Sequence, residues 1–373
     1  MRATRAEIDL KAISQNVFNI KSRVAPAQVM AVVKDNAYGH GAEQVSRVVL
    51  KAGASMLAVS IVEEGVMLRQ QGFKCSILVL GPHLPQQVEL FLRFDLSPTV
   101  SYFEFANELS NKAEKMGKIA SIHIKVETGL GRTGFKLDRA VQQISEICNM
   151  KNLQLAGIYT HLATSDEEDK SYAHLQLERF NKLLQRVANA GIRPPLLHAA
   201  NSGAILDFPQ SYYDIVRPGI MLYGYYPSPY STHSVKLHPA LTLKSKVSFI
   251  KKIKKGDSVG YGRKYIASAD TCIATIPIGY GDGYNRLLSN QGKVLIRGKR
   301  FPIAGRVCMD MLMVDLGLNS KVELGDEVVL MGKQQSESIT MEEICQKLGT
   351  IANEFCCWIS PRTPRVYINE PDT

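Results

Sequence analysis

Apolar positions recur along this chain in two rhythms, and the change from one to the other divides it. Between about residues 28 and 220, short apolar runs alternate with longer amphipathic stretches. The runs at 29–33, 56–59, 77–80, 97–100, 121–126, 156–160, 197–200 and 214–216 have the length of buried strands. Two of the intervening stretches carry a helical period. One spans 138–150, with Ala140, Val141, Ile144 and Ile147 on one face; the other spans 172–190, with Leu175, Phe180, Leu183, Leu184 and Val187. Eight strands alternating with helices predict an α/β fold, a parallel (β/α)8 TIM-like barrel.

Beyond about residue 235 the helical periods fade and strand signals take over, at 241–250, 272–278, 293–296, 328–330 and 365–368. Turn signals such as Lys255-Gly256-Asp257, Gly281-Asp282-Gly283 and Leu324-Gly325-Asp326 separate them, and only 341–348 reads as a helix. The stretch 226–239, rich in Pro, Ser and His, reads as the linker. The expected organisation is therefore a barrel over 1–235 followed by a smaller, mostly-β C-terminal domain over 236–373.

Composition agrees with this picture and narrows it. A length of 373 residues with 45% hydrophobic content suffices for two cores. The opening MRATRAEIDLKAISQN has basic residues but no apolar stretch behind them, so no secretory signal is expected. No apolar run approaches the roughly 20 residues of a membrane helix, and a cytoplasmic protein that engages no membrane is the expectation. The seven cysteines form no CxxC pair and no zinc spacing, which suits idle thiols in a reducing compartment and no metal site. A net charge of +10 raises the question of nucleic acid. Yet the densest basic run, Lys251, Lys252, Lys254 and Lys255, is short, lacks interleaved aromatics and leads into a turn. It reads as a solvated edge, and no nucleic-acid partner is expected.

The most informative segment is residues 31–41, AVVKDNAYGHG: an apolar strand that ends abruptly at Lys34, then a polar loop. Strand C-terminal ends form the active-site face of a barrel. An amine there, backed by an apolar stem, can lose its proton and attack an aldehyde cofactor. By spacing alone, an ordinary strand-end lysine reaching solvent remains the alternative.

This segment resembles the cofactor-lysine signature of alanine racemases, pyridoxal-phosphate enzymes of fold type III. Further blocks follow in the family's order: RATRAEIDLKAISQN, KVETGLGRTGF, GIYTHLATSDE, HAANSG, VRPGIMLYG, SVGYGRKY, PIGYGDGYNR, GRVCMDMLMVDL and GDEVVLMG. The resemblance implies an isomerase that interconverts L- and D-alanine by two-base proton transfer at Cα, with pyridoxal 5'-phosphate as cofactor. It also implies a head-to-tail homodimer with shared active sites, and D-alanine made for peptidoglycan.

Block by block, the resemblance makes Lys34 the Schiff-base lysine, with Tyr38, Ser202, Gly219 and Ile220 around the cofactor phosphate. Read from the sequence alone, Ser202 also suits a helix N-cap before 203–206. Arg217 would face the pyridine nitrogen. A guanidinium offers only donors, so the nitrogen must accept and stay unprotonated, which weakens the ring as an electron sink. Tyr261 of the partner subunit would be the second base, and His161 would link it toward Arg217. A tyrosine in that role needs positive or hydrogen-bonding neighbours. Arg132 would reach the cofactor's phenolic oxygen and the substrate carboxylate, a geometry suited to its forked donors. Lys125, seven residues earlier, matches a lysine that many relatives carbamylate. Met309 would meet the substrate carboxylate through its backbone amide, and Tyr280 would narrow the entrance.

Two places depart from the pattern: Asp35-Asn36 stands where the family more commonly has Ala-Asp, with little effect on the chemistry expected, and Pro361 is the larger departure. Many alanine racemases carry Tyr where Pro361 stands, and proline supplies neither its hydroxyl nor its ring. That keeps a serine or broad-specificity racemase in view as an alternative. A non-catalytic pyridoxal-phosphate-binding protein is the other, opposed by Tyr261 and Met309 in their matched contexts.

Overall fold

The eight apolar runs form parallel strands in a nearly closed barrel. In the computed structural model, which describes residues 2–371, the strands Gln28–Val32, Met56–Val59, Ser76–Val79, Ser97–Val100, Ala120–Glu127, Leu153–Tyr159 and Leu196–His198 lie side by side in chain order. Ile215–Val216 pairs with Gln28–Val32 and returns to the last strand. There the Asp214 amide donates to the Leu197 carbonyl (3.1 Å) and the Arg217 amide to that of Ala200 (2.9 Å). Most strand residues are buried, as expected of a parallel sheet covered on both faces.

Helices fill the gaps between strands, and most of the expected apolar positions face inward, with Val141 and Leu184 half-buried and Leu175 turned outward. Ser171–Asn189 buries Ala173, Gln176, Leu177, Phe180, Leu183 and Val187. Leu175, expected on that face, is exposed, and Gln176 beside it is buried instead. Its amide accepts from the Ala163 N–H (2.8 Å) and donates to the His161 carbonyl (3.2 Å), so this helix holds the backbone on both sides of Leu162.

A second body comprises Met1–Ala12, Tyr38–His40 and Pro239–Thr373, the barrel body being Ile13–Ala37 and Gly41–His238. The chain's first residues thus leave the expected barrel domain. Arg5–Asp9 is a strand that pairs antiparallel with Leu241–Lys246 and parallel with Arg365–Ile368. The apolar run 241–250 is not one strand but two. Val247 donates to Asp326 and Ser248 to Thr275, so the chain changes sheets there, and Phe249–Ile253 joins Thr271–Ile276 and Leu312–Asp315. Ala352–Trp358 forms a second short helix after Met341–Leu348. Its seven residues give too little period to read from sequence. No helix among the described residues is long and apolar enough to cross a membrane.

Candidate active site

Lys34 leaves the strand Gln28–Val32 at its C-terminal end and is half-buried. The backbone then turns left-handed: Asp35, Asn36, Ala37 and Tyr38 have φ of 52°, 51°, 55° and 50°. L-residues other than Asn and Asp avoid this region, so the turn must be held by its surroundings. The Asn36 side chain accepts the Ala42 N–H and its carbonyl accepts the Gly41 N–H, each at 2.9 Å. The Asp35 amide donates to the Glu64 carboxylate, which also accepts from Ser60 (2.8 Å). The pair Asp35-Asn36 therefore places the two residue types most tolerant of this conformation at its start.

Lys125 projects from the strand Ala120–Glu127, only 2% exposed, with its Nζ donating to Thr133 Oγ1 at 2.7 Å. Burial, then the charges of Arg132 and Arg217, push its ammonium down to about 8. The loop that follows is organised by Glu127, whose carboxylate accepts the amides of Gly129 (2.5 Å) and Arg132 (3.1 Å). Gly134 closes that loop at φ +127°, where a Cβ would stand 2.9 Å from the Val126 carbonyl carbon. Arg132 itself is exposed.

Arg217 is 3% exposed. Its NH1 lies 2.7 Å from His198 Nδ1, while NH2 donates to the carbonyls of Thr160 (2.8 Å) and Ala199 (3.0 Å) and lies 3.3 Å from His161 Nδ1. The guanidinium also sits 5.1 Å from the Tyr159 ring centre. His161 is pushed well below its usual range by burial, then by Arg217, Arg132, Lys125 and Lys34 in that order. Its Nδ1 must accept from Arg217, so its proton sits on Nε2. Lys34, Lys125, Arg132, His161 and Arg217 thus share one electropositive neighbourhood in the barrel body.

Ser202 opens the helix Ser202–Asp207 but does not cap it. The cap is Asn201, whose Oδ1 accepts the Ala204 N–H at 3.0 Å. Ser202 Oγ instead accepts the Gly219 N–H at 3.0 Å, joining the two segments expected around a phosphate. Ile220 begins the short helical turn Ile220–Tyr223 next to it.

The remaining expected residues belong to the second body. Tyr38 is buried there, whereas Tyr261 is 70%, Met309 52% and Tyr280 43% exposed. Tyr280 and Met309 lie on loops zipped together. The Tyr280 amide donates to Cys308 and the Gly281 amide to Met309, each at 2.9 Å. Arg362 clamps the same loops, its Nε 2.9 Å from the buried Asp282 and its NH2 2.7 Å from Asp310. A Cβ at Gly281 would stand 3.0 Å from Arg362 NH1 and 3.1 Å from the Met309 carbonyl oxygen, a tight fit at this crossing.

His198, His123, Tyr159 and Thr133 were not singled out from the sequence. One signal for them exists: His123 and Lys125 are polar residues two apart in an apolar strand, so both point to one face. The described residues hold no cluster of three or more metal-ligating side chains.

Two family models match the chain, the N-terminal domain of alanine racemase over residues 8–227 and its C-terminal domain over 240–367. An alanine racemase of Carboxydothermus hydrogenoformans is 45% identical over 369 residues, 99% of this chain and 100% of that protein. The solved alanine racemase of Clostridium difficile 630 superposes with a TM-score of 0.94 at 37% identity, covering 99% of this chain and 97% of that one. A histidine racemase from Leuconostoc mesenteroides superposes at 0.91 with 31% identity, covering 98% of each chain.

Proposed function

The chain belongs to the alanine racemase family, and we infer that it interconverts L- and D-alanine. The observation that carries this is the full-length match at 45% identity to an alanine racemase, which exceeds the 31% to the histidine racemase. The expected readout is chiral chromatography after incubating the cofactor-loaded protein separately with L-alanine, L-serine, L-lysine and L-arginine. D-alanine should form much faster than the other products. Comparable racemisation of serine or the basic amino acids would overturn the substrate assignment and direct attention to Pro361.

Pyridoxal phosphate is the cofactor of this reading. The residues present suit it: four cationic side chains, Lys34, Lys125, Arg132 and Arg217, act on one buried histidine, a field for an anionic guest. Bound there, the group supplies an aldehyde for amine capture and a ring that accepts electron density as the Cα proton leaves. Lys34 would hold it covalently, and Tyr38, Ser202 and the backbone at Gly219 and Ile220 would hold its phosphate. Arg217, fixed by its carbonyl and histidine partners, would present a donor to the ring nitrogen.

Two bases on opposite faces of Cα then move the proton. Lys34 would serve one face, taking or returning the proton with its amine. Tyr261 of the partner subunit serves the other. His161 carries its proton on Nε2, the nitrogen free to donate toward that phenol. Arg132 and the Met309 amide of the partner subunit receive the substrate carboxylate, and Tyr280 lines the approach. A homodimer follows from this division of labour, and the large exposed side chains Tyr261, Ile266, Met309 and Met311 support a covered surface on the second body. Lys125 would be the site of a carbamate: with its ammonium held down to about 8, the neutral amine is readily populated and can add to carbon dioxide with release of a proton. The resulting anion would pair with Arg132 in place of two cations repelling each other. The enzyme acts in the cytoplasm and supplies D-alanine for peptidoglycan.

A further inference from the structure

Arg217 is the near end of a chain of buried groups that continues into the barrel. Its NH1 meets His198 Nδ1 at 2.7 Å, and His198 Nε2 lies 2.9 Å from His123 Nδ1. The protonation of this chain is forced. A guanidinium has donors only, so His198 Nδ1 accepts, and the neutral ring carries its proton on Nε2. His123 Nδ1 must then accept that proton's hydrogen bond, which leaves the His123 proton on its own Nε2. That atom is buried and meets no hydrogen-bond partner among the described residues. A buried donor with no acceptor is costly, so the fold keeps His123 at a loss to stability.

The backbone is shaped around this ring. His123 faces Gly157 on the neighbouring strand, and the pairing shifts register between Ile122 and His123. A Cβ on Gly157 would stand 2.6 Å from His123 Nδ1, so no other residue fits opposite it. Tyr159, two residues on, stacks on His198 with ring centres 4.6 Å apart and planes 6° from parallel. His198 is thereby fixed in its plane by Tyr159 and at its two nitrogens by Arg217 and His123.

We propose that His123 is a positioning residue for the racemisation, acting through His198 to hold the Arg217 guanidinium in place. With His123 accepting, His198 cannot move its proton to Nδ1, where it would confront an Arg217 N–H across 2.7 Å. The Nδ1 lone pair therefore always faces the guanidinium. This rests on the reading that Arg217 serves the cofactor's ring nitrogen.

The test begins with the nitrogen-15 spectrum of the wild-type histidines, which reports tautomers without any turnover. His198 and His123 should both be Nε2-protonated; an Nδ1-protonated or averaged His198 would overturn the proposal. His123→Phe keeps the ring's bulk but removes the acceptor. In the loaded enzyme, kcat for alanine should fall about tenfold with KM within about twofold, since carboxylate binding lies elsewhere. The absorbance spectrum of bound pyridoxal phosphate should shift with it. His123→Asn, whose side-chain oxygen can accept from His198, should restore the spectrum and most of kcat. Equal losses in the two variants, or none in His123→Phe, would sink the positioning role. Arg217→Gln separates the two readings. If it alters the cofactor spectrum while His123→Phe does not, only the His123 role fails. If neither alters it, the Arg217 role fails as well.

Discussion

The guanidinium of Arg362 lies 2.7 Å from the carboxylate of Asp310, the residue that follows Met309. The same guanidinium holds Asp282, two residues after Tyr280. One side chain therefore ties the two loops assigned to substrate carboxylate and entrance. Arg362→Gln should loosen both while Arg2, 2.6 Å from Asp282, keeps that buried acid paired. The expected outcome is a rise in KM for alanine of about tenfold, with a smaller change in kcat. Steady-state kinetics check it, and an unchanged KM would separate the clamp from substrate binding.

Sites shared between two subunits, as proposed, make a sharper demand on the quaternary structure. Lys34→Ala and Tyr261→Phe should each be inactive or nearly so. Mixed and allowed to exchange subunits, they should regain part of the wild-type rate, because one site in the heterodimer keeps both bases. No recovery after exchange demonstrated by mass spectrometry would place both bases in one chain.

Lys125 should take up carbon dioxide. Protein equilibrated with carbon-13 bicarbonate near pH 8 should show a carbamate resonance that Lys125→Arg lacks. Loss of the signal on acidification is expected as the amine reprotonates. A spectrum identical to that of the variant would leave Lys125 as a plain buried cation.

Acid should destabilise the barrel through its neutral histidines. Burial holds His83 down to about 4, and burial with the Arg217 charge does the same for His123. Their folded values lie below the unfolded value of about 6.5, so the unfolded chain binds more protons between those limits. Stability is fully present above about 6.5 and declines as pH falls toward about 4, by about 2 kcal/mol per group at pH 5. Urea midpoints at pH 7.5 and pH 5 measure this. His83→Phe, which packs against Phe91 and Phe105 without a titrating nitrogen, should flatten the dependence.

Much of this was legible before any coordinates. The barrel strands are buried on both faces, so each stands out as an apolar run, and the turn residues of the second body mark its hairpins. What escaped depends on distant partners. Arg5–Asp9 alternates weakly and is a strand because Leu241–Lys246 and Arg365–Ile368 flank it. Ser202 was an apparent cap until Asn201 was found to accept the Ala204 amide. Lys34 could be read from its place at a strand end, and the resemblance supplied the roles of Arg217 and His161. His123 and His198 sit 75 residues apart, on the two strands that flank Leu153–Tyr159, and only the pairing of the sheet brings their ring nitrogens to 2.9 Å.

The left-handed turn after Lys34 also has a stereochemical consequence. Positive φ is the preference of D-residues, so Asp35 to Tyr38 are L-residues wound in the hand natural to their mirror images. A semisynthetic protein carrying D-alanine at position 37 should therefore unfold at a higher temperature than the natural chain. The expected gain is about 1–2 kcal/mol, the penalty an L-residue pays in that conformation. In an ordinary right-handed helix the same inversion would destabilise.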